Sequence, residues 1–172
     1  MASKIVSRHI GFRFITIEML PLPGKQKSRN EKVQKHFDFW QAHSLRYLEM
    51  AFRNDRRGVI ANPDGYGKRT GDCTDTVEIY LTVREGCIQS VSYETNGCIN
   101  TNACANTVAE LVQGKDVASA WELTPDDVIN YLETLPPQNT HCAELAAGAL
   151  YRALINLQDN QRHTWKKPYL KK

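Results

Sequence analysis

The sequence predicts an α+β fold: a small three-stranded antiparallel sheet covered on one face by helices. Val77, Ile79, Leu81 and Val83 alternate with Thr76, Glu78, Tyr80 and Thr82, the period-two pattern of a half-buried strand. Arg84-Glu85-Gly86 then reads as a hairpin turn, with a glycine free to take positive φ. After the return strand only helical patterns follow, and a sheet with one apolar face must be covered by them.

In chain order, residues 5–20 alternate loosely, as an edge strand or a loose arm, until Pro21, Pro23 and Gly24 stop any element. Residues 33–52 read as an amphipathic helix, with Phe37, Trp40, Leu45, Leu48 and Phe52 as core or subunit contacts. His36 and His43 on that stretch read as solvent or packing histidines. Residues 54–67 form a loop with a Pro63-Asp64-Gly65 turn; Val59 and Ile60 rest on the body, and Arg56 and Arg57 are solvated. Lys68 to Thr70 opens the first strand, and Val91 and Tyr93 anchor the return strand.

Residues 101–112 are helical, with Ala103, Ala105, Val108, Leu111 and Val112 available to pack and Gly114 ending the helix. Thr124-Pro125-Asp126-Asp127 is a helix start: Thr124 caps, proline suits the first position, and Asp127 reaches back to the cap. Val128, Ile129 and Leu132 form its buried stripe, and Pro136-Pro137 blocks continuation. Asn139 or Thr140 caps a last helix to about Leu157, with Leu145, Ala149, Leu150 and Ile155 among its buried residues. The chain divides into an N-terminal extension (1–32), a domain (33–157) and a basic tail (158–172) in which Trp165 and Tyr169 can dock or bind a partner surface.

A chain of 172 residues fits one domain of ordinary size. A net charge of +3 is too mild to point to nucleic acid, and no apolar run is long enough to span a membrane. Five cysteines cannot all pair within one chain, and no secretory leader is visible, so a reducing compartment, the cytoplasm, is expected. The acid-free opening MASKIVSRHIGFRFI makes organelle targeting the minor alternative.

Thiols and an acid are the candidate site. Cys73 and Asp75 lie two apart, so on an extended stretch both side chains face one ion. Cys98 follows Gly97 and precedes a helix. Cys142 lies in the first turn of the last helix, where free backbone N–H groups and the helix dipole favour a thiolate, with His141 beside it. Three thiolates with one carboxylate or imidazole make a tetrahedral set suited to zinc or iron–sulfur chemistry. A carboxylate is the harder ligand, so a cluster held partly by Asp75 releases more readily than one held by thiolates alone, which suits a carrier. Scattered buried cysteines are the alternative. Cys87 reads as packing, Cys104 as core filling or a residue just behind the ligands, and Asp72 as solvated.

These residues resemble the IscU/NifU amino-terminal family of iron–sulfur cluster assembly scaffolds. The likeness runs through NPDGYGKRTGDCTDTVEIYLTVREG, SYETNGC, ACANTVAELVQGK and LTPDDVINYLETLPPQNTHCAELAAGALYRAL, with FRNDRRGVI like the family's start, over residues 45–157. The resemblance implies an IscU-like fold and a non-enzymatic scaffold. Cys73, Asp75, Cys98, Cys142 and His141 would hold a transient [2Fe-2S] cluster, iron or, in the isolated protein, zinc. Cys142 would accept persulfide sulfur from a cysteine desulfurase, and recipient apoproteins would take the cluster. Three departures stand out. The family's Cys-Gly-Asp is Cys73-Thr74-Asp75, whose β-branched residue stiffens the ligand loop. GCINTNA replaces a GCGxAxA-type stretch. LPPQN puts Asn139 in a lysine position, which leaves an Hsp70-type chaperone partner open. No C-x-x-C module follows, so a stand-alone scaffold domain is expected, with a homo-oligomer left open and no role assigned to the lead-in.

The same ligands would also fit a structural or regulatory zinc-binding interaction protein. A thiol enzyme using Cys142 and His141 is a third reading, opposed by the different directions that adjacent helical residues face.

Overall fold

A computed structural model of the chain describes residues 38–163. The expectations for residues 1–37, His36 and Phe37 among them, and for Trp165 and Tyr169 lie outside the described residues. The elements are α1 (Leu45–Phe52), β1 (Gly65–Thr70), β2 (Thr76–Arg84), β3 (Cys87–Thr95), α2 (Ile99–Val112), α3 (Val117–Ala120), α4 (Pro125–Leu132), a 3-10 turn (Pro137–Asn139) and α5 (Thr140–Arg162). The strands form an antiparallel sheet in the order β1-β2-β3. Its inner face carries Val77, Ile79, Leu81, Ile88, Val91 and Tyr93, which join α1, α2, α4 and α5 in one buried cluster. This is the expected sheet under helices.

The hairpin turns on two residues. Glu85 and Gly86 take φ of 54° and 80°, and the positive values at both positions suit the right-handed twist of the flanking strands. On the outer face, Glu78 accepts hydrogen bonds from Lys68 Nζ (2.8 Å), Tyr80 (2.8 Å) and Tyr66 (3.0 Å). The β1 edge lies against α5. A side chain at Gly65 or Gly67 would run into the backbone of Ala149 and Ala153, so glycine is what allows this approach. Asn156 accepts from the Tyr66 N–H (3.0 Å) and Arg152 donates to the Lys68 carbonyl (3.0 Å), which satisfies groups that would otherwise leave an open sheet edge.

The expected single helix over residues 33–52 is instead interrupted. The chain is helical at 38–42, breaks at His43 and restarts at Leu45, where Ser44 caps the Tyr47 N–H at 3.1 Å. The cap resets the helical phase. Tyr47, Leu48, Met50 and Ala51 are buried, while Leu45 is 84% exposed and Phe52 49%. Trp40 (44% exposed) stacks on Phe52 at 5.3 Å, and His43 stacks on Tyr47 at 4.1 Å, a packing histidine.

Smaller differences have similar local causes. Arg56 is not a solvated cation: it pairs with Glu110, which also holds Arg53 at 3.0 Å. Arg57 donates to the Thr95 carbonyl (2.7 Å). Val59 and Ile155 are exposed rather than packed. β1 begins at Gly65, before Lys68, and α5 continues past Leu157 to Arg162.

The start of α4 is as read. Thr124 and Asp127 close a capping box at 2.8 and 3.2 Å, and the Thr124 backbone and hydroxyl hold the Asp127 carboxyl below its ordinary range. The short α3, capped by Asp116, has no counterpart in the sequence pattern.

Within α2, Asn102 and Asn106 are buried and serve α1. Asn102 Nδ2 donates to the Ala51 carbonyl (2.9 Å), and Asn106 Nδ2 to those of Met50 (3.1 Å) and Arg53 (3.0 Å). They satisfy carbonyls that the end of a helix leaves without partners. This fixes α1 against α2 and so fixes the N-terminus of α2, where the candidate site lies. No helix among the described residues is long and apolar enough to cross a membrane.

Candidate metal centre

Three elements bring the donors together. The link from β1 to β2 is a tight turn in which the Gly71 N–H donates to the Asp75 carbonyl (2.9 Å) and the Thr74 N–H to the Gly71 carbonyl (3.0 Å). Cys98 is the N-cap of α2, and Cys142 lies in the first turn of α5. The ligand atoms of Asp75, Cys98 and Cys142 all lie within 4.8 Å of one another. Gly97 makes this approach feasible: a Cβ there would sit 2.7 Å from Asp75 Oδ2 and 2.6 Å from Thr101 Cβ.

Cys73 is not part of this close group. The expectation assumed an extended stretch, but Thr74 takes φ of 65°, a left-handed conformation that turns the chain between them. Cys73 is exposed. With Arg69, His141, Glu144 and Leu145 it lines an open cavity of about 460 Å³ on the rim of the group. His141 is exposed, and its Nε2 lies 3.5 Å from Cys142 Sγ. The cavity therefore brings Cys73 and His141 to one opening, while of the trio Cys142 is buried, Asp75 half-buried and Cys98 exposed. A larger cavity of about 690 Å³, lined by Arg46, Lys115 and Tyr131 among others, contains no thiol. Cys87, read as a packing residue, is instead exposed at the hairpin end of β3, and Asp72 is exposed as expected.

Thr101, which nothing in the sequence singled out, stands at the centre. It is fully buried, and its hydroxyl donates to Asp75 Oδ2 at 2.5 Å. The same oxygen lies 3.4 Å from Cys142 Sγ and 3.6 Å from Cys98 Sγ. The Cys98 N–H also donates to Asp75 Oδ2 at 3.2 Å. The missed signal is a hydroxyl residue three positions after a helix-capping cysteine.

The two helix-start thiols differ. Burial would raise the Cys98 thiol, but the Thr101 N–H and hydroxyl and the Asn100 N–H outweigh it, and the net shift is downward. Cys142 was expected to be the helix-stabilised thiolate. It is instead pushed up to about 11, by burial first and then by the Cys98 and Cys73 thiols, against a lowering bond from Thr101. Cys104 is buried in α2 and raised well above the usual thiol range by burial and by its neighbours Cys142 and Cys98; it lies behind the trio and is not part of it. Tyr47, whose hydroxyl donates to Asn100 Oδ1 at 2.5 Å, is pushed up to about 12 by burial and by the same three thiols.

Chemically, two soft thiols and one harder carboxylate can hold a borderline ion such as zinc or iron. Cys73 and His141, which share the neighbouring cavity, are the further donors that could complete such a set. The donor set thus fits a metal, and a rim ligand can complete it.

Residues 49–164, more than half of the chain, match the NifU-like N terminal domain family. The chain is 36% identical over 107 residues to "Iron-sulfur cluster assembly scaffold protein IscU 1" of Archaeoglobus fulgidus, covering 61% of this chain and 70% of that protein. It is 32% identical over 129 residues to "Iron-sulfur cluster assembly scaffold protein IscU" of Aquifex aeolicus, covering 73% of each. The crystal structure of an N-terminal NifU-like protein from Brucella abortus shares the fold at a TM-score of 0.57 and 20% identity, over 67% of this chain and 94% of that one. The chain therefore belongs to the NifU-like N-terminal domain family, the IscU/NifU family of scaffold proteins.

Proposed function

We propose that this protein is a scaffold on which a [2Fe-2S] cluster is assembled and from which it passes to recipient apoproteins. The observation that carries the reading is the convergence of Asp75, Cys98 and Cys142 from three separate elements. Relatives named as iron–sulfur cluster assembly scaffolds support it. Iron and sulfur are cargo here. Cys98 and Cys142 supply soft anchors, Asp75 the harder ligand that is easiest to give up, and Cys73 and His141 complete the set from the rim.

Sulfur arrives from a cysteine desulfurase on Cys142. The outer sulfur of the donor persulfide bonds to the Cys142 thiolate, the donor S–S bond breaks, and the donor thiolate leaves. Reduction of that sulfur to sulfide takes two electrons from an external reductant. Cys142 has no exposed surface in this arrangement, so delivery requires a local opening of the site. Five free thiols accord with work in a reducing compartment, and the cytoplasm belongs to the same proposal. The segment containing Asn139 is where an Hsp70-type partner would be tested.

The test is anaerobic reconstitution with iron, cysteine and a desulfurase. Sulfide-to-iron absorption is expected in the wild type and lost in Cys98→Ala and in Cys142→Ala. Wild-type yield in both variants contradicts the reading. Zinc that stays bound while no cluster forms would favour a zinc-binding interaction protein instead.

A further inference from the structure

The site contains one buried polar side chain that is not a ligand in any of the readings above. Thr101 Oγ1 lies within 3.6 Å of a donor atom from each of Asp75, Cys98 and Cys142. A hydroxyl carries one proton and gives a full donor bond to one acceptor at a time. The distances rank the acceptors: 2.5 Å to Asp75 Oδ2, against 3.4 and 3.6 Å to the two sulfurs. The Cys98 N–H adds a longer bond of 3.2 Å to the same carboxylate oxygen. Oδ2 is thus held by two donors at the N-terminal end of α2, one from the N-cap and one from the first turn, and the hydroxyl is the closer.

The rest of the Thr101 side chain is held as well. Its Cβ and Cγ2 come so near Gly97 that a Cβ there would lie 2.6 Å from each. A β-branched side chain is already restricted in χ1, and this contact leaves the hydroxyl pointing into the site. Asp75, by contrast, follows a turn whose Cys73 and Thr74 are exposed, so its own neighbours do little to fix its carboxylate.

We propose that Thr101 is a positioning residue: its hydroxyl holds the Asp75 carboxylate between Cys98 and Cys142, and so sets how tightly the site keeps a metal. The inference rests on the ligand set of the scaffold reading, but it needs only metal binding and not cluster assembly. Hydrogen bonds of this kind orient ligating carboxylates, and losing one typically weakens metal affinity about 10–100-fold.

The experiment is anaerobic Co²⁺ titration of the full chain, followed by thiolate-to-cobalt absorption. The variants are Thr101→Val, Thr101→Ser, Asp75→Ala and the Asp75→Ala/Thr101→Val double. Thr101→Val is expected to weaken Co²⁺ binding at least about tenfold. Thr101→Ser, which keeps the hydroxyl, is expected to rescue it. On the Asp75→Ala background Thr101→Val is expected to add nothing, because the hydroxyl acts through the carboxylate. Unchanged affinity in Thr101→Val, failure of Ser to rescue, or additive losses in the double variant overturns the inference and leaves the scaffold reading standing. Should Thr101→Val not fold by circular dichroism, Thr101→Ala against Thr101→Ser makes the same comparison. A wild type that takes up no Co²⁺ overturns the scaffold reading and the inference with it.

Discussion

Cys98 and Cys142 both sit at helix starts, yet their thiols shift in opposite directions. Cys98 is itself the N-cap, and the N–H groups of Asn100 and Thr101 at the open end of α2 favour its thiolate against the effect of burial. Cys142 comes after the cap, inside the first turn of α5, and is wholly buried. A helix N-terminus favours a thiolate only where its N–H groups meet the sulfur, and elsewhere burial decides. The pair therefore sets an exposed thiol whose pKa is lowered beside a buried thiol whose pKa is raised.

The largest test of this contrast is structural. Gly97→Ala forces a Cβ into Asp75 Oδ2 and Thr101, and should abolish Co²⁺ binding while costing about 1–3 kcal/mol in denaturant unfolding. Retained binding would mean that the trio does not depend on this close approach.

Alkylation tests the pair directly. In the metal-free protein near pH 7.5, iodoacetamide followed by peptide mapping should modify Cys98 at least about a hundredfold faster than Cys142, since each pKa unit is worth tenfold in thiolate. Equal rates would break the comparison.

Stability should follow the same sign. A thiol whose folded pKa is raised keeps its proton while the unfolded chain loses it, so between about pH 9 and 11 the Cys142 thiol makes the fold less stable as pH rises. Its contribution is present below the unfolded pKa and lost on the way to the folded one. Wild type should lose on the order of 2 kcal/mol more than Cys142→Ala across that window in reductant, measured by urea unfolding. A pH-independent difference between the two would contradict the burial argument.

The smallest effect belongs to the loop. Thr74 holds a β-branched side chain at φ of 65°. Thr74→Gly should relieve strain and stabilise the apo fold by about 1 kcal/mol or less, after glycine's own entropy cost. A clear loss of stability would show that the threonine makes contacts that outweigh the strain.

What could be read from the sequence was what acts locally. The Thr124–Asp127 box, the Glu85-Gly86 turn and the alternation of β2 each carry their own chemistry within a few residues. So does the pairing of thiols with glycines and caps that marked Cys98 and Cys142. The failures share a different cause. Ser44 looked like one residue of a long helix, yet it resets the phase that would have buried Leu45 and Phe52. Cys73 and Asp75 have strand-like spacing, but Thr74 turns the chain between them. Thr101, Asn102 and Asn106 look like polar residues in a helix, and their roles exist only once Asp75, Cys142 and the end of α1 are brought against them.

X-ray absorption at the zinc edge, on protein loaded with one Zn²⁺, tests the central claim most directly. Wild type should show sulfur neighbours at about 2.3 Å together with a nitrogen or oxygen neighbour, and the sulfur count should fall by one in Cys98→Ala and by one in Cys142→Ala. A wild-type shell of nitrogen and oxygen alone, or a sulfur count that neither substitution changes, would contradict it.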